Sequence, residues 1–156
     1  MAGFEARLAE LGIELPDVAP PVAAYVPAVV TGSYVYTSGQ LPFVAGALPA
    51  TGKVGDGHGL VPADEAKEYA RTCALNALAA VRAELGSLDR VTRIVKLVGF
   101  VASDPSFTGQ PGVINGASEL LGELFGDAGR HARSAVGVTV LPLDSPVELE
   151  LVVEFA

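Results

Sequence analysis

The sequence predicts an α+β fold in which two helices pack on one face of a β-sheet, and three observations support this prediction. Strand-like and helix-like segments follow one another without the strict alternation of parallel α/β folds. One apolar helical stripe runs for about six turns between residues 63 and 85. The last segment, 147–155, alternates apolar and acidic residues, which is typical of a strand with one buried face.

The first residues predict a short helix and an extended connector. Phe4, Leu8 and Leu11 recur at helical spacing. Residues 15–21 (LPDVAPP) cannot continue a helix, because proline lacks the backbone donor that a helix needs. We therefore expect one domain over residues 1–156, in which residues 1–21 are an added N-terminal helix and connector.

A β-hairpin is predicted next. Residues 25–30 (YVPAVV) and 34–38 (YVYTS) are rich in β-branched and aromatic side chains, and a short turn with Gly32 separates them. Pro27 cannot donate to a sheet ladder, so the first strand should lie at an edge or carry a bulge.

A long loop and a long helix follow the hairpin. Residues 41–60 are rich in Gly, Pro and Ala and predict a loop with room for one short strand. Pro62 and the acidic pair after it suit the first turn of a helix, and Gly86 suits its end. The predicted buried stripe consists of Ala66, Tyr69, Ala70, Cys73, Ala77, Val81 and Leu85.

The remaining chain predicts a strand over 91–101, a helix over 113–125 and two final strands over 134–140 and 147–155. The 91–101 segment is apolar on both faces. Simple alternation places Val95, Leu97 and Val101 on one face and Ile94, Val98 and Phe100 on the other. Two helices cover only one face of such a sheet, so the second face requires another subunit.

Composition narrows the function. The formal charge is −8, from 18 acidic and 10 basic residues. The densest basic segment, 129–133 (GRHAR), has two arginines, so we expect no general affinity for nucleic acid. Half of the residues are hydrophobic, which leaves apolar surface for oligomerisation. The single cysteine, the charged N-terminus and the absence of a long apolar stretch indicate a cytoplasmic protein with no membrane association.

Common catalytic and cofactor motifs do not occur. Residues 46–53 (GALPATGK) differ from a phosphate-binding loop in glycine spacing and lack its hydroxyl residue. His58 and His131 lie far apart without other ligands at metal-binding spacing, so we expect neither a metal nor an organic cofactor. Cys73 lies in the buried stripe, where a packed thiol is the simpler interpretation than a nucleophile.

Two charged residues invite a functional interpretation. Arg133 stands at the start of a Val-rich strand, and a guanidinium is a natural anchor for a small carboxylate. Glu148 opens the polar face of the last strand. The alternatives are a solvated arginine at a strand end and an ordinary exposed glutamate.

Several blocks together resemble the Rid family, also called YjgF or endoribonuclease L-PSP. The similarity covers about residues 22–156. The blocks, in order, are Tyr25, TSGQLP (37–42), TGKV (51–54), Asn76, VKL (95–97), IN (114–115), ARS (132–134), LP (141–142) and VELE (147–150). The resemblance implies a chorismate-mutase-like fold assembled as a homotrimer, with sites in clefts between subunits.

The resemblance also implies hydrolysis of small reactive enamine or imine acids, of the 2-aminoacrylate type, to a keto acid and ammonia. It assigns Arg133 to the substrate carboxylate and Glu148 to the attacking water. The hydroxyl of Tyr25 would approach the substrate nitrogen from the neighbouring subunit; the alternative is aromatic packing at the subunit seam.

The other positions that the resemblance assigns to substrate binding are Ser38, Gly39, Asn115 and Ala135. Ser38 and Gly39 would line the pocket, and Asn115 would support its wall unless it only makes a hydrogen bond at a helix start. Ala135 stands where the archetypal deaminases of the family have cysteine. This difference leaves open a trimer that binds a small carboxylate without chemistry. The older family name leaves open an endoribonuclease, which the acidic charge disfavours.

Overall fold

Three helices and five strands build the part of the chain that the computed structural model describes, residues 3–18, 20 and 24–156. The end of the predicted connector, including residues 19 and 21, lies outside the described residues. In chain order the elements are α1 (Phe4–Glu10), β1 (Ala28–Thr31), β2 (Tyr34–Thr37), α2 (Ala63–Leu85), β3 (Val91–Ala102), α3 (Gln110–Phe125), β4 (Ala132–Val138) and β5 (Val147–Phe155).

The five strands form one sheet in the order β1-β2-β5-β3-β4. β3 and β4 pair in parallel, and every other pair is antiparallel. β1 lies at an edge, as Pro27 predicts. The loop over 41–60 contributes isolated bridges, between Val44 and Ala47 and from Val54 to its neighbours, but no strand.

Helices α2 and α3 pack on one face of this sheet, which confirms the predicted α+β architecture. The predicted stripe of α2 is buried, except that Tyr69 is half-buried. Gly86 ends α2 with a φ of 79°, a conformation that glycine adopts without strain. Cys73 is fully buried at 3.9 Å from the Val147 carbonyl, and burial raises the pKa of its thiol well above the usual value. A packed thiol therefore fits the structure better than a nucleophile.

The prediction that Ile94 faces away from Leu97 is wrong. A register shift between Ile94 and Lys96 takes Val95 out of regular pairing with β5. The extra residue reverses the alternation on one side of it, so that Ile94 joins Leu97 in the core beneath the helices.

Several predicted boundaries also differ from the structure. β1 spans Ala28–Thr31 and not 25–30, and β4 begins at Ala132 and not at Ser134. α3 begins at Gln110, three residues before the predicted Val113, because Pro111 fits the first turn of a helix. Asn115 therefore lies in the second turn of α3, and its interpretation as a helix-start residue is wrong. β4 ends at Val138, so Val140 falls beyond it.

The face of the sheet opposite the helices, which we call the open face, carries exposed apolar side chains. Val29 and Tyr36 are paired across β1 and β2, with 52% and 47% of their surfaces exposed. Val136 on β4 is 43% exposed. This apolar surface is the surplus that the composition predicts.

The added helix α1 is part of the packed domain. The rings of Phe4 and Phe125 meet edge to face, with 4.7 Å between their centroids. The Glu5 carboxylate accepts a hydrogen bond from the Leu88 amide at 2.9 Å. None of the helices in the described ranges is long and apolar enough to cross a membrane.

Candidate functional site

Arg133 is held by two side chains of the neighbouring helix. It is the second residue of β4 and lies on the helix-covered face of the sheet. Its Nη1 donates to Asn115 Oδ1 at 2.8 Å and to Ser118 Oγ at 3.2 Å. Asn115 and Ser118 are three residues apart on α3, so both side chains project from the same side of the helix.

This arrangement leaves one edge of the guanidinium available. Arginine has five N–H donors, and the two hydrogens of Nη1 already have acceptors. Within residues 3–18, 20 and 24–156, no carboxylate lies within ion-pair distance of Arg133. The Nε–Nη2 edge therefore presents two parallel donors, which match the two oxygens of a carboxylate.

Ser118 and His131 extend this cluster, and neither role was predicted from the sequence. Ser118 Oγ lies 2.9 Å from His131 Nε2, and His131 Nδ1 lies 2.6 Å from the carbonyl oxygen of Gly129. The three-residue spacing of Asn115 and Ser118 on a helix facing an arginine is the sequence signal that could have indicated Ser118.

Glu148 lies in a separate cavity of about 260 Å³, which we call the Glu148 pocket. Tyr25 and Gly39 line it as well. The Glu148 side chain is half-buried, and this burial, followed by repulsion from Glu150, raises the pKa of its carboxyl above the usual value. Most of the remaining lining is apolar: Pro20, Pro27, Leu41, Phe43, Pro142 and Leu143, together with Gln40.

The backbone brings Gly39 directly beside Glu148. Gln40 and Leu149 exchange two backbone hydrogen bonds, of 2.7 and 3.1 Å, which extend the pairing along β5. A Cβ atom at position 39 would overlap Oε1 of Glu148. A side chain at position 39 would therefore displace the Glu148 carboxylate from its place against the backbone.

Ser38 ties down the segment that carries Tyr25. Its hydroxyl donates to the Val26 carbonyl at 2.6 Å, and its amide donates to the Pro27 carbonyl at 2.8 Å. Ser38 is outside the lining of the Glu148 pocket, so its predicted contact with a ligand stays a prediction.

Two further features shape the pocket wall. Asn76 of α2 donates from Nδ2 to the carbonyls of Leu41 and Phe43, at 2.9 and 3.1 Å, and so fastens the loop to the helix layer. Leu143 has a left-handed backbone with φ of 58°, a conformation that is costly for a residue with a side chain. Two thirds of its surface is exposed beside the pocket.

Within one chain the predicted site residues form two groups on opposite faces of the sheet. Arg133 pairs with Leu97 and faces α3, where Ala135 lies beside it in the same strand. Glu148 pairs with Phe100 and faces the open side. The backbone of β3 lies between β4 and β5, so one small molecule does not touch Arg133 and Glu148 of the same chain.

Comparisons with known proteins agree with this fold. A family model described as "YjgF/chorismate mutase-like, putative endoribonuclease" matches residues 5–156. The chain belongs to the Rid/YjgF family. Protein TCP17 of Trypanosoma cruzi shares 47% identity with it over 152 residues, covering 96% of this chain and 92% of TCP17.

Solved structures of the Rid/YjgF fold resemble this chain over most of its length. Atu1372 of Agrobacterium tumefaciens, a protein of unknown function, is 45% identical with a TM-score of 0.89, over 98% of this chain and 92% of that one. TdcF of E. coli, whose structure contains bound serine, is 25% identical with a TM-score of 0.64, over 89% of this chain and 94% of TdcF.

No group of three metal-ligating side chains occurs in the described part of this Rid/YjgF chain. Two sets of residues offer groups for chemistry: Arg133 with Asn115 and Ser118, and the Glu148 pocket. One offers a free pair of cationic donors, and the other offers a half-buried carboxylate with a raised pKa.

Proposed function

We propose that this protein is a hydrolytic deaminase of small enamine or imine acids, acting in clefts between the subunits of a homotrimer. One observation carries the proposal. The free edge of Arg133 and the Glu148 pocket are both suited to such a substrate, yet they lie on opposite faces of one chain. A neighbouring subunit unites them if its Arg133 reaches the Glu148 pocket of the first.

Cyclic symmetry can bring Arg133 of one subunit to the Glu148 pocket of the next. A heterologous interface brings two different surfaces of the same chain together and closes into a ring when the rotation is 120°. The exposed side chains of Val29, Tyr36 and Val136 on the open face provide apolar area for such an interface. Each of the three clefts would then contain Arg133 from one subunit and Tyr25, Gly39 and Glu148 from the next.

The relative with bound serine supports a small carboxylate as the ligand. Serine carries an α-carboxylate beside an amino group, as an enamine or imine of an amino acid does. The Nε–Nη2 edge of Arg133 would bind this carboxylate through two charge-assisted hydrogen bonds and so orient the neighbouring carbon.

The proposed chemistry is addition of water to the imine carbon. An enamine such as 2-aminoacrylate first takes a proton on its terminal carbon and becomes the iminium form of the imine. Glu148 then accepts a proton from water as the oxygen bonds to the iminium carbon. Glu148 returns this proton to the nitrogen of the tetrahedral adduct, the C–N bond breaks with release of ammonia, and the hydroxyl proton passes to solvent, which leaves the keto acid. The raised pKa of Glu148 makes its carboxylate a stronger base than an exposed glutamate.

The apolar lining of the Glu148 pocket affects which substrate side chains are preferred. Leu41, Phe43 and Leu143 surround the same cavity as Glu148 and offer no partner for a charged group through their side chains. We expect an acid with a small apolar side chain to be preferred over one with a second carboxylate, because an unpaired charge in this cavity is costly.

Ala135 supports a second candidate, a trimer that binds a small carboxylate without turnover. Alanine provides neither a proton nor a nucleophile at the position where the archetypal deaminases have cysteine. In the proposed mechanism Glu148 activates the water, so the deaminase needs no thiol at this position. The endoribonuclease suggested by the family description receives less support, because the chain has a formal charge of −8.

The test is release of keto acid from 2-aminoacrylate generated in situ by a separate enzyme. Faster release with the protein than without it, lost when Glu148 is replaced by glutamine, supports the deaminase. Tight binding of a keto acid with no acceleration for any imine tested supports the binding protein instead.

A further inference from the structure

We propose that Ser118 and His131 are positioning residues, which orient the guanidinium of Arg133 through a directed chain of hydrogen bonds. The inference rests on the proposed function in one respect, namely that Arg133 anchors the substrate carboxylate. The chain runs from Arg133 Nη1 to Ser118 Oγ at 3.2 Å, on to His131 Nε2 at 2.9 Å, and ends with His131 Nδ1 at the Gly129 carbonyl at 2.6 Å.

The hydrogen bond to the Gly129 carbonyl determines which atoms donate and which accept in this series of hydrogen bonds. A carbonyl oxygen only accepts hydrogen bonds, so His131 Nδ1 must carry the proton that binds Gly129. In the neutral ring Nε2 is then an acceptor, and the Ser118 hydroxyl donates to it. The lone pairs of the same oxygen remain free to accept from Arg133.

The anchor of the chain is fixed by close packing. Gly129 is buried in a short turn, and a Cβ atom there would overlap the Leu121 carbonyl of α3. The carbonyl that orients His131 is therefore held against the same helix that carries Ser118. The Gly129 carbonyl and the Ser118 hydroxyl are therefore both held to α3.

The arrangement explains how Arg133 keeps one edge free. Asn115 alone engages one hydrogen of Nη1 and allows the guanidinium plane to turn about that contact. Ser118 engages the second hydrogen, and two acceptors one helical turn apart define the plane. The Nε–Nη2 edge then points toward the ligand without a further loss of side-chain freedom on binding.

Nitrogen-15 NMR of the full chain tests the proposal independently of activity. In wild type we expect the neutral ring of His131 to carry its proton on Nδ1, and the Nη signals of Arg133 to show slow rotation about the Cζ–Nη1 bond. Ser118→Ala should give fast rotation. Thr72→Val removes a hydroxyl that donates to the Glu68 carbonyl of its own helix, and it should leave both signals unchanged.

Binding of pyruvate, measured by calorimetry, gives the functional readout. Ser118→Ala and His131→Phe should each weaken binding about tenfold, as expected for one well-formed hydrogen bond. His131→Gln retains an acceptor for Ser118 and should restore most of the affinity.

The outcomes separate this inference from the proposed function. The Nε2-protonated tautomer of His131, or equal Arg133 rotation in wild type and Ser118→Ala, would overturn the positioning role whatever the activity. The expected tautomer and rotation, the affinity losses and the rescue would support it, even if no imine is hydrolysed.

Discussion

Replacing Arg133 by alanine should abolish recognition of the substrate carboxylate. The free Nε–Nη2 edge offers two charge-assisted hydrogen bonds, each worth about 1.5–3 kcal/mol. Losing both costs at least about 3 kcal/mol, which corresponds to a fall in kcat/KM on the order of 100-fold. Arg133→Lys keeps the charge but not the parallel donors, so its activity should lie between wild type and Arg133→Ala.

The assay is keto-acid release from 2-aminoacrylate over a range of substrate supply, with Arg130→Ala as the matched control. Arg130 is an exposed arginine three residues earlier, and its loss should leave kcat/KM unchanged. An Arg133→Ala protein that is folded and retains more than about a tenth of wild-type kcat/KM would refute the assignment of Arg133 as the carboxylate anchor, because that loss is less than one charge-assisted hydrogen bond.

Three further substitutions probe the Glu148 pocket. Because the folded protein raises the pKa of Glu148, the stability that this residue contributes is fully present below the ordinary carboxyl pKa and is lost as the pH rises through the raised pKa. Glu148→Gln should therefore unfold at higher urea concentration than wild type at neutral pH, and this difference in stability should vanish in acid. The same variant should be inactive. Glu154→Gln, on the same face of β5, is its control for activity. Gly39→Ala should displace the Glu148 carboxylate and lower kcat, while thermal unfolding stays close to wild type; normal kcat would contradict the close approach of these residues. Asn76→Ala removes two hydrogen bonds to the pocket loop and should lower the free energy of unfolding by about 1–3 kcal/mol and raise KM; an unchanged KM would show that the loop keeps its place without Asn76.

Periodicity in the sequence predicted the long elements well, for a physical reason. The apolar stripe of α2 repeats over many turns, and apolar and polar residues alternate along the whole of β5. A single residue that departs from such a long pattern does not obscure it. The start of α3 was missed because Gly109, Pro111 and Gly112 are typical of turns, whereas Pro111 here occupies the first turn of a helix. The bulge at Val95 has no mark in the sequence, because every residue around it is compatible with a regular strand.

The resemblance assigned the candidate residues to clefts between subunits, with Tyr25 from the neighbouring subunit, but it did not indicate which of the other residues share a face of the sheet with Tyr25. Tyr25, Gly39 and Glu148 do line one cavity, and Arg133 does contact Asn115. Their separation onto two faces depends on the strand order and on the parallel pairing of β4, which no local pattern encodes.

The roles of Ser118 and His131 were missed for a related reason. A lone histidine and a helix serine are common in any sequence, and neither has a motif that points to the other. Only the packing of α3 against β4 and the buried turn at Gly129 brings them to Arg133.

Complementation between two inactive variants tests whether each site joins Arg133 of one subunit to Glu148 of the next. Arg133→Ala and Glu148→Gln are each expected to be inactive, and equal amounts are unfolded together and refolded. In a ring, a cleft is intact when one subunit supplies Arg133 and its neighbour supplies Glu148, which random mixing achieves in about one quarter of clefts. The refolded mixture should therefore regain about one quarter of wild-type keto-acid release. A mixture as inactive as each variant alone, while refolded wild type regains its activity, would contradict it.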